Sequence, residues 1–174
     1  MNWLEPIDIY CERTTATLWS EPLNAWTNFS FIIAGSLALF LLAKRRSSNP
    51  WGYILSLNTV LIGLGSFLFH ILANRWSLWA DVIPIMLFML LCFFYILRFV
   101  LKWRLAISFF SLIIFMGVGG VFESLGSGVL NGSLSYAHAF MALGVTSFYL
   151  RRRQGYVSRF LGYATLLFLL SLIF

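Results

Sequence analysis

The chain of 174 residues is 60% hydrophobic, 18% aromatic and only 10% charged, against about 25% charged residues in a typical soluble domain. With a mean hydropathy of +0.87, this composition excludes a soluble cytosolic enzyme, a disordered chain and a disulfide-stapled secreted module. It points instead to one all-α membrane domain over 1–174. The net charge of +6 does not indicate nucleic acid, because the basic residues stand in short clusters between apolar runs, as they do in the cytoplasmic loops of membrane proteins.

Residues 1–12 carry no Lys or Arg and are acidic, the reverse of the start of a signal peptide. Residues 1–24 read as an external N-terminal segment. Six apolar runs follow, at about 25–43, 52–73, 78–97, 105–122, 134–150 and 158–174, each near the about 20 residues that a spanning helix needs. The pattern predicts a multi-pass helix bundle with six spans. Lys44, Arg45 and Arg46 follow run one; Arg98, Lys102 and Arg104 follow run three; Arg151, Arg152, Arg153 and Arg159 surround the start of run six. These are ten of the 12 basic residues, and the other side keeps only Arg13 and Arg75. The positive-inside rule then places both termini on the non-cytoplasmic face of the cell membrane. The Gly/Ser/Asn-rich stretch ESLGSGVLNGS at 123–133 reads as an external turn. Trp51, Trp76, Trp79 and Trp103 fall near span ends, where an interfacial aromatic belt accounts for them.

Ionisable groups within spans are costly and therefore mark functional positions. Run two travels outward, which puts His70 about one turn from its outer end, with Ser66 one turn deeper on the same face. Run three returns inward, and Asp81 lies about one turn below its start. His70 and Asp81 therefore reach similar depth on adjacent antiparallel helices. Ser, His and Asp suit a hydrolase triad, but a serine one turn before a histidine more often bonds a backbone carbonyl. A neutral imidazole also suits zinc, with a neighbouring carboxylate orienting it or its water. The alternative is a buried His–Asp hydrogen bond that joins two helices. In the N-terminal segment Asp8, Glu12 and Glu21 are three carboxylates within fourteen residues, with Asn24 and Asn28 beside them. Calcium takes six to eight such oxygens; helix capping and a solvated acidic segment are the alternative.

The stretch IDIYCERTTATLWSEPLNAWTNFSFIIAG resembles the N-terminal signature of the alkaline ceramidase family, above all its bacterial members, and GSFLFHILANRWSLWADVIPI resembles that family's second and third helices. Ser66, His70 and Asp81 match its serine, histidine and aspartate in type, order and spacing. The family belongs to a group of seven-helix membrane hydrolases that includes the progestin and adiponectin receptors. The resemblance implies zinc-dependent hydrolysis of the amide of ceramide or a similar membrane lipid. In it His70 is a zinc ligand, Asp81 exchanges a proton with the attacking water, and Ser66 stabilises the oxyanion or orients the site. It also implies calcium held by Asp8, Glu12, Glu21 and the Tyr10 carbonyl. That match is looser, because the acidic residue before the Cys-Glu pair is shifted by one and Thr14 stands where the family has an amide. No nucleic acid and no protein partner is implied.

The family takes two further zinc ligands from histidines four apart on a seventh helix. This chain has two histidines in all, His70 and His138. Its end, LGYATLLFLLSLIF, looks like the family's sixth helix, so the sequence is expected to stop before those ligands. His138, near an outer helix end, is either a substitute ligand or a satisfied histidine at a helix interface. Cys11 resembles a family cysteine whose partner precedes the seventh helix. Cys92 lies roughly 20 Å from the outer face, beyond disulfide reach, so Cys11 is expected to be unpaired. Beside the hydrolase stand two other readings: a catalytically inactive receptor-like or structural membrane protein, and a fragment of an active enzyme.

The charge pattern makes a direct prediction. A reporter fused after Arg46 or Arg153 should read cytoplasmic, and one placed in 124–133 should read external. Swapped readings would overturn the orientation.

Overall fold

The computed structural model describes residues 2–9, 12–14, 17–126 and 134–173. Its regular elements are helices: α1 (Pro22–Thr27), α2 (Phe29–Lys44), α3 (Pro50–Leu72), α4 (Arg75–Tyr95), α5 (Leu105–Gly126), α6 (Ala137–Leu150) and α7 (Gly155–Ile173), with a π-helical turn (Ile96–Val100) after α4. The six apolar runs correspond to α2 through α7, so the fold is all-α and multi-pass. Among the described residues four helical stretches are long and apolar enough to cross a membrane: Pro22–Lys44, Pro50–Leu72, Arg75–Val100 and Leu105–Leu125.

Of the six runs expected to span, five and six fall outside these four, run six giving the shorter apolar stretch Gly155–Leu170. Run five yields a helix of 14 residues, about 21 Å long and short of the roughly 30 Å apolar core, because 134–136 turn as a 3₁₀ segment first. The expected external turn at 123–133 begins later than the sequence suggests. Glu123 and Ser124 extend α5, where the Ser124 hydroxyl donates to Val121 O at 2.8 Å, and 127–133 lie outside the described residues.

Backbone contacts divide the chain into two compact units, Met1–Tyr95 and Ile96–Phe174. In the first, α3 packs against both α2 and α4. Glycine sets both distances, as small residues do where membrane helices pack closely. A Cβ on Gly63 would lie 2.9 Å from Asn28 O, and one on Gly65 only 2.0 Å from Ala80 O. The second approach has a cause on α4. Pro84 stands inside that helix, has no N–H to give the carbonyl four residues back, and its ring pushes that carbonyl outward. The carbonyl is that of Ala80, and it turns toward Gly65. The Pro84 carbonyl in turn accepts from Asn58 Nδ2 of α3 at 2.8 Å.

The turn between α3 and α4 is tightly specified. Ala73 closes α3 in the left-handed region, at φ 39°, with its N–H on Phe69 O at 2.7 Å. Asn74 and Ser77 then cap α4 reciprocally: Ser77 N–H donates to Asn74 Oδ1 at 3.1 Å and Asn74 N–H to Ser77 Oγ at 3.2 Å, the pattern of a capping box. The N-terminal segment lies on this turn through Ile7 N–H to Ala73 O (2.8 Å), Arg75 N–H to Glu5 O (3.1 Å) and Trp76 N–H to Trp3 O (3.1 Å). An Arg75–Glu5 ion pair accompanies them.

In the second unit α6 and α7 are joined by a reciprocal pair: Ser147 Oγ donates to Ser158 O and Ser158 Oγ to Ser147 O, both at 2.8 Å. Such bonds hold helices together where no water competes.

The two kinds of glycine in this protein separate cleanly. Gly65→Ala forces α3 and α4 apart and should lower stability by about 1–3 kcal/mol. Gly120→Ala, where a Cβ meets nothing within 4 Å, should gain up to about 1 kcal/mol of helix propensity. Thermal melting of the two variants checks the sign of each.

Candidate active site

Ser66 and His70 stand one turn apart on the same face of α3 and are buried, at 7% and 6% exposure. Asp81, in the second turn of α4, is 5% exposed. The Gly65–Ala80 approach brings the three together. Ser66 presents its hydroxyl to the Asp81 carboxyl group, and the His70 imidazole lies within electrostatic range of it. One carboxylate oxygen, Asp81 Oδ1, is buried without a hydrogen-bond partner. An acceptor left unmade in an apolar interior costs about 1–3 kcal/mol.

A second carboxylate holds the histidine from behind. Glu21 Oε2 is 2.5 Å from His70 Nδ1, and Glu21 Oε1 accepts from Arg13 Nε at 2.6 Å. Arg13 Nη2 also donates to the His70 carbonyl at 3.3 Å. Glu21 is 1% exposed. With Nδ1–H donating to a carboxylate, the neutral ring carries its lone pair on Nε2, the tautomer needed for a base or a metal ligand.

Local sequence explains why Glu21 turns inward. It occupies the N-cap of α1 but makes no side-chain cap bond, and Pro22 follows it at the first helical position, where a missing N–H does no harm. Glu12 caps the helix in its place. Its Oε1 accepts from Leu23 N–H at 2.7 Å and its Oε2 from Asn24 N–H at 3.1 Å, an acceptor at the positive end of a helix. The Glu21 carboxylate is thereby released for His70 and Arg13.

The sequence-derived candidates thus fall into separate groups. Ser66, His70 and Asp81 come together, joined by Glu21. Glu12 is a helix cap, Asp8 is exposed, and Tyr10 and Cys11 lie outside the described residues. His138 belongs to the second unit. Its Nδ1–H donates to Ser135 O at 2.8 Å and its ring packs on Phe115 at 4.5 Å between centroids. In the sequence Arg13 is one of the two basic residues outside the inward clusters and a cation close enough to offset the N-terminal carboxylates. Its role beside Glu21 joins residues 57 apart in sequence, and no spacing rule reveals that.

Metal fit follows from the donors. Among the described residues no group of three or more His, Cys, Asp and Glu side chains stands together to hold an ion. His70 and Asp81 offer one imidazole and one carboxylate, where catalytic zinc takes about three protein ligands. The described residues do not fit a complete zinc site. Nor do they fit a calcium site: Glu21 is held by the Arg13 guanidinium, Glu12 by the first N–H groups of α1, and Asp8 is exposed, so the three carboxylates do not converge on one point.

A family model described as Ceramidase matches residues 7–173. No curated protein and no solved structure matches the chain.

The unpartnered Asp81 oxygen yields a stability prediction. Asp81→Asn removes a buried carboxyl group at nearly constant volume and should stabilise the fold by about 1–2 kcal/mol, roughly 2–8 °C in melting temperature. An Asp81→Asn variant that melts below the parent protein would mean that Asp81 is structural.

Proposed function

The chain belongs to the ceramidase family, and from that we propose that it hydrolyses the amide bond of ceramide or a similar membrane lipid. The observation supporting this most is the buried cluster of Ser66, His70 and Asp81, with one carboxylate oxygen unpartnered. In this reading the amide C–N bond breaks. Water oxygen bonds the acyl carbon, and the nitrogen leaves with a proton as a sphingoid-type amine. The other product is a fatty acid.

Asp81 takes the proton from the attacking water through its unpartnered oxygen and returns it to the leaving nitrogen, a general base and then a general acid. As Asp81 takes that proton, the Ser66 hydroxyl leaves the Asp81 carboxyl group and donates its single O–H to the oxygen that gains charge as the acyl carbon becomes tetrahedral. His70, held by Glu21, presents Nε2 to the same space. The two-tailed substrate reaches this space within the bilayer, because Ser66, His70 and Asp81 lie on helices long enough to span it. The N-terminal segment lies on the α3–α4 turn, so we assign the site to the non-cytoplasmic end by the positive-inside argument.

A second reading has a specific observation in its favour. The described residues offer two zinc donors, which suits a receptor-like or structural member of the family that keeps the fold without the chemistry. The two readings part in one experiment. Purified protein is incubated with ceramide in detergent, and fatty acid and sphingoid base are measured together with zinc content. The hydrolase reading expects both products in equal amounts, lost in Asp81→Asn and in His70→Ala. Product formation no greater than in Asp81→Asn assigns the protein to the second reading. Zinc should be retained at well below one ion per chain and be unaffected by His138→Ala. One tightly held zinc that His138→Ala removes would make His138 a ligand.

A further inference from the structure

We propose that the cation neutralising Glu21, the buried carboxylate of the N-terminal group, is the guanidinium of Arg13, and that Asp8, Glu12 and Glu21 take no calcium. The hydrolytic reading routes no step through these carboxylates, and their hydrogen bonds identify what offsets them.

Calcium requires six to eight oxygens with lone pairs directed at one point. Among the described residues no three His, Cys, Asp or Glu side chains stand together to supply them, and the carboxylates face separate partners. Glu21 gives Oε1 to Arg13 Nε at 2.6 Å and Oε2 to His70 Nδ1 at 2.5 Å, and it is 1% exposed. Glu12 gives both oxygens to the first backbone N–H groups of α1. Asp8 is exposed. To bind an ion, Glu21 would have to abandon a buried guanidinium, leaving that charge unpaired in an apolar site.

Arg13 also binds the two kinds of oxygen that calcium would bridge. Besides the Glu21 carboxylate it reaches a backbone carbonyl, that of His70, with Nη2 at 3.3 Å. His70 lies in the last turn of α3, where carbonyls lack helical N–H partners and the helix end carries partial negative charge. A guanidinium suits both acceptors, because it is planar, has five donors and does not lose its proton. Arg13 thus ties the N-terminal segment, the start of α1 and the end of α3 together with a cation that is part of the chain.

The test uses the full chain in detergent. Melting temperatures of the parent protein are measured with added calcium and with chelator, and terbium is added to the same protein to look for aromatic-sensitised emission. Arg13→Met, Arg13→Lys, Glu21→Gln and the double variant Arg13→Met/Glu21→Gln are melted alongside. The parent should melt at one temperature under both conditions and give no terbium emission. Arg13→Met should lose about 6–20 °C, Arg13→Lys should recover part of that loss, and the double variant should lose clearly less than the two single losses added. A melting temperature that rises with calcium and falls with chelator would overturn the proposal. So would terbium emission abolished by Glu21→Gln, or single losses that simply add. The measurements on the parent protein decide the matter even where a variant fails to fold.

Discussion

A carboxylate that is 1% exposed cannot be left to itself. Water that would solvate it is gone, and the charge must be met by donors fixed in the protein. Glu21 is met on both oxygens, by Arg13 on one and His70 on the other, and the first unit is arranged around that requirement. The N-terminal segment has to return to the end of α3 so that Arg13 can arrive. Helix α1 has to start at Pro22 so that Glu21 stands at its mouth. Glu12 has to take over the cap, since a carboxylate that caps its own helix could not also hold a histidine on another. Each step removes a freedom from His70, whose ring ends up fixed in tautomer and orientation without help from Asp81 or Ser66. Asp81 is accordingly left with an oxygen to use.

The second constraint is steric and works where α3 meets α4. Pro84 removes one helical bond from α4 and displaces the Ala80 carbonyl. That carbonyl fits only against a residue with no Cβ, and Gly65 supplies it. A weak Cα–H···O contact is the natural result of such an approach. Because Ser66 follows Gly65 and Asp81 follows Ala80, the close approach of two backbones also sets the approach of two side chains. The hydroxyl and the carboxyl group are brought together by residues that carry no chemistry themselves. Asn58 on the Pro84 carbonyl reinforces the same register deeper along α3.

What the sequence revealed, and what it hid, follows from the range of the interactions. Spans were legible because burial in lipid is a bulk property that about 20 residues express together. Ser66, His70 and Asp81 were legible because a four-residue step on one helix and a short turn to the next fix their relations within sixteen positions. The helix ends were less so: the Gly/Ser/Asn content of 123–133 concealed one more turn of α5, and a 3₁₀ start shortened α6. Least legible was the fate of the acidic residues. Asp8, Glu12 and Glu21 look alike in a list of charges, yet they become an exposed side chain, a helix cap and a buried partner of His70. Their roles are decided by Arg13, by the N–H groups of Leu23 and Asn24, and by an imidazole 49 residues away, and pairing at that distance leaves no periodic trace.

The two constraints act on different atoms of one small site, and that separation has a chemical consequence. Glu21 and Arg13 hold the ring of His70 through Nδ1, on the side facing the N-terminal segment. Gly65, Ala80 and Pro84 hold Ser66 and Asp81 through the backbone, on the side facing α4. Neither system uses Asp81 Oδ1, although both oxygens of Glu21 and of Glu12 have been satisfied. A fold that places donors so thoroughly around two carboxylates has the means to satisfy a third, for example through an asparagine like the one it places on the Pro84 carbonyl. Leaving one carboxylate oxygen bare beside a hydroxyl and an oriented imidazole costs about 1–3 kcal/mol, and the proposed hydrolysis gives that oxygen a use, since a general base accepts its proton from a molecule that arrives there.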